Sequence, residues 1–96
     1  MSFQADTLFL DRDGVINYQI EGKYIKESSE FVFIPGVLES INILNTIFRR
    51  IIIITNQQGI GKGIMTHNEL LDLHEFMISK VEENGGKIDK IYYCPH

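Results

Sequence analysis

A chain of 96 residues has room for one small domain, and its 44% hydrophobic and 23% charged residues are the make-up of a folding chain rather than a disordered one. A net charge of −4 argues against a general nucleic-acid binder, which needs a basic face. No stretch approaches the ~20 apolar residues of a membrane span.

The first element is a short buried strand, Thr7 to Leu10, that delivers Asp11-Arg12-Asp13-Gly14 onto a glycine turn. Residues two apart share one side of an extended chain, so Asp11 and Asp13 are expected to converge. Two anions held together need a cation or a shared proton. The carboxyl end of a parallel strand is also where open α/β sheets bind ligands. These points suggest a metal-assisted carboxylate site. Taken alone, Asp-x-Asp-Gly is also common turn chemistry. A calcium loop is excluded, because Val15 and Ile16 stand where Asp or Asn and then Gly are required.

Asn17 to Phe33 is mixed, with a turn expected at Glu21-Gly22-Lys23 between short extended pieces. Ile34-Pro35-Gly36 opens a helix whose apolar stripe reads Val37, Ile41, Leu44 and Phe48. Ile51 to Ile54 is a β-branched run, apolar on both faces, that predicts a central parallel strand. It runs into Thr55-Asn56-Gln57-Gln58-Gly59-Ile60-Gly61-Lys62-Gly63, a hydroxyl, an amide and glycines able to cradle a phosphate with neutral donors. A nucleotide P-loop fits poorly, since Asn56 stands for Gly and Gly63 for Ser or Thr. The dinucleotide fingerprint fails at Ile64. Glycine clusters also build plain loops.

Thr66 and Glu69 have capping-box spacing and start a second helix. Leu70, Leu73, Met77 and Val81 form its buried stripe, and Asn84-Gly85-Gly86 stops it. His74 reads as a packed or boundary histidine on that stripe, and His67 as an exposed first-turn residue. Ile88 to Tyr93 predicts a third strand. Strand, helix, strand, helix, strand implies right-handed crossovers and a parallel sheet covered by helices, a Rossmann-like α/β fold.

Three motifs in order, Leu8-Phe9-Leu10-Asp11-Arg12-Asp13-Gly14-Val15-Ile16-Asn17, Thr55 to Gly63 and Tyr92-Tyr93-Cys94-Pro95-His96, together with Ile34-Pro35-Gly36-Val37, carry a family resemblance. The chain resembles haloacid dehalogenase-type phosphatases, more narrowly the heptose 1,7-bisphosphate and histidinol-phosphate phosphatase group. The similar loop in the heptose enzymes usually reads Asn-Gln-Ser-Gly-Ile-Ala-Arg-Gly, from which Gln58, Gly61 and Lys62 depart. The histidinol branch typically has an acidic residue where Gln58 stands, so the heptose-type substrate is the expected one.

The resemblance implies a magnesium-dependent phosphomonoester hydrolase working through an aspartyl phosphate. Asp11 would be the nucleophile and Asp13 the acid and then the base. Thr55 and Asn56 would hold phosphoryl oxygens, and Lys62 would contact substrate. Magnesium would be held by Asp11, the Asp13 carbonyl and a later aspartate. Cys94 and His96 would be the first two ligands of a structural zinc loop; within these residues alone, Cys94 reads equally as an ordinary terminal thiol. The family's later lysine, aspartate and remaining zinc ligands have no candidate here. Residues 1–96 are therefore expected to be the N-terminal portion of a single domain, incomplete at its C-terminus and inactive by itself.

The full-length protein is expected to be a monomer acting on a small phosphorylated substrate, without nucleic-acid or membrane partners. It is expected in the cytoplasm: its single cysteine gives no disulfide framework, and Met1 to Asp6 lacks the pattern of a signal peptide. The alternative readings are a histidinol-phosphate phosphatase, a non-catalytic phospho-ligand module, and a nucleotide-binding regulator.

Overall fold

The computed structural model describes residues 3–20 and 22–96. Three strands, β1 (Ala5–Asp11), β2 (Phe48–Asn56) and β3 (Lys90–Cys94), form one parallel sheet in the order β1-β2-β3. Helix α1 (Val37–Leu44) links β1 to β2, while the single turn α2 (Gln58–Gly61) and the long α3 (His67–Glu83) link β2 to β3. This is the expected parallel α/β fold. The register runs from Ala5 opposite Phe48 to Asp11 opposite Ile54, and from Ile52 opposite Lys90 to Asn56 opposite Cys94.

Two right-handed crossovers that both step in the same direction put their helices on the same side of the sheet. Alternation then divides the strands sharply. Ile51 and Ile53 of β2 are fully buried with Ile41 of α1 and Leu70, Leu73, Met77 and Val81 of α3. Leu8, Leu10 and Ile91 pack against that cluster from the neighbouring strands. Each fully buried aliphatic side chain of this kind contributes about 1.5–3 kcal/mol. On the opposite face Phe9, Ile54 and Tyr92 remain 45–58% exposed. The expected helical cover is thus present on one face only.

Helix α3 begins where its sequence predicted. The Thr66 hydroxyl accepts from the Glu69 amide at 3.0 Å, and the Glu69 carboxylate accepts from the Thr66 amide at 2.8 Å, a box worth about 1 kcal/mol. Its stop is equally local: Gly85 takes φ +84°, and Gly86 is buried where a Cβ would lie 3.1 Å from both Ile41 and Val81. His74 is buried on the stripe as expected, and His67 opens the helix, exposed, with Nδ1 2.9 Å from the Tyr93 hydroxyl.

Phe48 is a correction: it opens β2 instead of closing the α1 stripe. Helix α1 ends at Leu44 because Asn45 is taken by Lys87, whose amide it accepts at 2.8 Å and whose carbonyl receives its Nδ2 at 3.0 Å. The Thr46 hydroxyl also donates to the Ile43 carbonyl at 2.6 Å. Tertiary pairing thus overrides the i+11 spacing. In the Glu21-Gly22-Lys23 turn, Glu21 lies outside the described residues. Gly22 has φ +72° and the Lys23 amide donates to the Ile20 carbonyl at 3.2 Å. Among the described residues, no helix is long and apolar enough to cross a membrane.

Candidate active site

The carboxyl ends of the strands gather the candidate residues, as the connectivity requires. Asp11 is the last residue of β1 and is exposed. Among the described residues, no hydrogen bond or ion pair engages its carboxylate. The chain then turns at Gly14, φ +85°, and closes a tight loop in which the Arg12 carbonyl accepts from the amides of Ile16 at 2.7 Å and Asn17 at 3.3 Å. The Gly14 amide donates to the Asn17 carbonyl at 2.8 Å.

Asp13 sits in this loop, past the end of the strand, so strand alternation does not orient it. Hydrogen bonds do. Its Oδ1 accepts from Arg12 Nε at 3.1 Å, Arg12 Nη2 at 2.7 Å and Asn17 Nδ2 at 2.9 Å. Its Oδ2 accepts from Gln57 Nε2 at 3.1 Å. Arg12 is 1% exposed and Asn17 is fully buried. The buried Asn17 Oδ1 has no partner among the described residues. Flipping that amide would turn its oxygen toward Asp13, so the donor side is held in place and the orphan acceptor is the cost, about 1–3 kcal/mol.

Thr55 and Asn56 end β2 and diverge. Thr55 is buried, its Oγ1 accepting from Gln57 Nε2 at 2.7 Å, whereas Asn56 is exposed. Gln57 thereby ties the end of β2 to Asp13. Asn56, Gln57, Gln58 and Lys62 line an open cleft of about 790 Å³ with Asp13, Lys23 and Tyr24. Asp13, Asn56 and Lys62 are thus brought to one cleft; Asp11 stands at the neighbouring strand end, and Thr55 lies behind the cleft, not on its wall. The glycine loop folds into α2, and Lys62 caps it with its Nζ 5.7 Å from the Tyr24 ring centre.

Two cations face this cleft, and they differ. Lys23 is paired with Glu30 at 2.7 Å; that hydrogen bond first, and then the Lys26 and Glu27 amides, hold the Glu30 carboxyl down to about 2. Lys62 has no ion pair among the described residues. Across the core, His74 Nε2 lies 3.0 Å from Arg12 Nη1. Burial first, then the Arg12 charge, push His74 down to about 4, against the opposing pull of Asp13.

Arg12, Asn17, Gln57 and His74 are the site residues for which sequence reasoning found no role. Arg12 and Asn17 lie inside the first motif and Gln57 inside the second, yet nothing local marks their partners. Cys94 closes β3 with an exposed, free thiol that donates to the His96 carbonyl at 3.7 Å. Among the described residues, no three His, Cys, Asp or Glu side chains cluster as a metal site.

No family model matches the chain. Among curated proteins, the D-glycero-beta-D-manno-heptose-1,7-bisphosphate 7-phosphatase of Photorhabdus laumondii is 42% identical over 89 residues, covering 93% of this chain and 46% of the relative. The D-glycero-alpha-D-manno-heptose-1,7-bisphosphate 7-phosphatase of Mycobacterium tuberculosis is 37% identical over 89 residues, covering 93% and 47%. Among solved structures, the D,D-heptose 1,7-bisphosphate phosphatase of B. bronchiseptica, complexed with magnesium and phosphate, superimposes with a TM-score of 0.88 at 32% identity. That match covers 95% of this chain and 50% of the other. The chain spans about half the length of the relatives it matches. Through nearly all its residues, in sequence and in its haloacid dehalogenase-like sheet, this chain is similar to the heptose 1,7-bisphosphate phosphatases.

Proposed function

We propose that the full-length protein is a magnesium-dependent phosphomonoester hydrolase acting on a sugar phosphate, with heptose 1,7-bisphosphate the expected substrate, and that residues 1–96 are the N-terminal portion of its single domain. The observation that supports this most is the pairing of unlike carboxylates at one strand end. Asp11 is exposed and unclamped, free to attack; Asp13 is held by four hydrogen bonds, fixed to move a proton. A ligand-binding module needs neither arrangement, which disfavours the non-catalytic reading.

In this reading Asp11 attacks phosphorus and becomes an aspartyl phosphate, while Asp13 protonates the departing alkoxide. Asp13 then takes a proton from the water that hydrolyses the intermediate. Asn56 and the loop amides bond the phosphoryl oxygens, with the Thr55 hydroxyl behind them, and Lys62 reaches the substrate. A carboxylate approaching a dianionic phosphate at ~4 Å meets roughly 8 kcal/mol of repulsion at an effective dielectric near 20.

Oxygen donors suit magnesium. The free Asp11 carboxylate and the Asp13 carbonyl, which accepts no backbone hydrogen bond among the described residues, would hold part of its shell. Bound there, the ion would offset that repulsion. Cys94 and His96 would supply half of a tetrahedral zinc set, and zinc takes no part in the chemistry. A monomer in the cytoplasm, with Cys94 reduced, completes the proposal.

The test is phosphate release by the full-length protein with magnesium. Asp11→Asn is expected to abolish it, by about 1,000-fold or more, with the circular dichroism spectrum unchanged. Near-normal turnover would overturn the covalent mechanism.

A further inference from the structure

Arg12 is an uncommon residue to bury: a guanidinium 1% exposed is costly unless its N–H groups are matched. Here they are matched on two sides. One edge, Nε and Nη2, lies on Asp13 Oδ1, and Nη1 lies 3.0 Å from His74 Nε2. The Phe31 ring covers the group, 5.6 Å from Cζ. Arginine has no acceptor, so in the Nη1 contact His74 Nε2 accepts, which makes the imidazole neutral with its proton on Nδ1. The low pKa of His74, about 4, agrees.

The guanidinium is a rigid plane, so pinning one edge to α3 aims the other. Three donors, two from Arg12 and one from Asn17, then occupy Asp13 Oδ1, whereas among the described residues Oδ2 receives only Gln57. Oδ2 is left with acceptor capacity, and Asp13 lines the cleft.

We propose that His74 and Arg12 are positioning residues for Asp13, the buried His74–Arg12 fork fixing its carboxyl so that Oδ2 handles the proton. The proposal rests on Asp13 being the acid and base of the phosphatase. As the Asp11–phosphorus bond forms and the bond to the leaving oxygen breaks, the proton on Oδ2 passes to that oxygen. When water attacks phosphorus and the bond to Asp11 breaks, a water proton returns to Oδ2.

Leaving groups separate positioning from mere support. An alkyl phosphate leaves as a strongly basic alkoxide and needs the proton; a dinitrophenyl phosphate leaves without it. In the full-length protein with magnesium, His74→Leu and Arg12→Lys are expected to lower kcat on the sugar phosphate by about tenfold or more, with KM within about threefold. On the dinitrophenyl ester the burst of dinitrophenolate, which reports attack on phosphorus before the water step, should slow by no more than about threefold. His74→Gln, which restores an acceptor, should recover most of the sugar-phosphate rate. Nitrogen NMR of the folded wild type should show His74 Nε2 unprotonated, a readout independent of any variant's folding.

A dinitrophenolate burst slowed as much as sugar-phosphate turnover, no loss on either ester, or a protonated Nε2 would each overturn the positioning role. A wild-type protein that hydrolyses neither ester overturns the phosphatase reading itself, and this proposal with it.

Discussion

The loops that follow β1 and β2 face one cleft and are built in opposite ways. After β1, Arg12 and Asn17 are buried, and every donor aimed at Asp13 is itself held by the core. After β2, backbone bonds such as Lys62 to Gln58 at 3.0 Å and Gly61 to Pro95 at 3.0 Å shape α2, leaving Asn56, Gln58 and Lys62 exposed. In the proposed reaction Asp13 must meet a proton at one point, which needs orientation fixed by several bonds. Side chains that grip a polar substrate need reach and water-facing donors. Gln57, 2% exposed, joins the two designs by bonding Thr55 and Asp13 together.

The strongest way to break this contrast is to strike each loop at its centre. Asp13→Asn is expected to lower kcat on a sugar phosphate by about 100- to 10,000-fold, the usual weight of a proton-transfer group. If the loss is under tenfold, the rigid loop is not the chemical one.

Stability offers the next measurement. His74 has its pKa lowered from 6.5 to about 4 in the folded chain, so the unfolded chain binds that proton first as pH falls. The contribution is intact above pH 6.5 and is lost through the window down to about 4. By about pH 5 the loss is roughly 2 kcal/mol. Urea unfolding of the full-length protein at about pH 7 and 5 should show it, and His74→Gln should remove that share of the pH dependence. An unchanged pH dependence in the variant would show that the imidazole is not held neutral.

The smallest effect is expected on the exposed loop. Lys62→Ala should raise KM by up to about tenfold, about 1.4 kcal/mol, with kcat nearly unchanged. A drop in kcat matching that of Asp13→Asn would erase the division between the loops.

What the sequence disclosed follows the range of the interactions. The strands, the α3 cap and the glycine stops are written within a few neighbouring residues: β-branched runs, Thr66 with Glu69, Gly85 with Gly86. The two loops were legible as places for the same reason. Their internal wiring was not. Gln57 meets Asp13 across 44 positions and Arg12 meets His74 across 62, and no spacing rule links such residues. The misread of Phe48 has the same origin, since Asn45 is claimed by Lys87, 42 positions away. Strand alternation does not reach Asp13, because the strand ends two residues before it and hydrogen bonds orient it instead.

The uncovered side of the sheet bears on how the polypeptide comes to be made intact. Among the described residues β1 and β3 each have one strand neighbour, and Phe9, Ile54 and Tyr92 form an apolar strip between them. Such a unit offers both a sticky face and open edges to other copies of itself. One charge stands beside the strip: Lys90 Nζ lies 4.8 Å from the centre of the Tyr92 ring. A charge placed so opposes stacking of such strips in general, without hiding them. For an apolar strip of this kind, covering it competes with meeting another chain, and the outcome is set by concentration and time as much as by native stability.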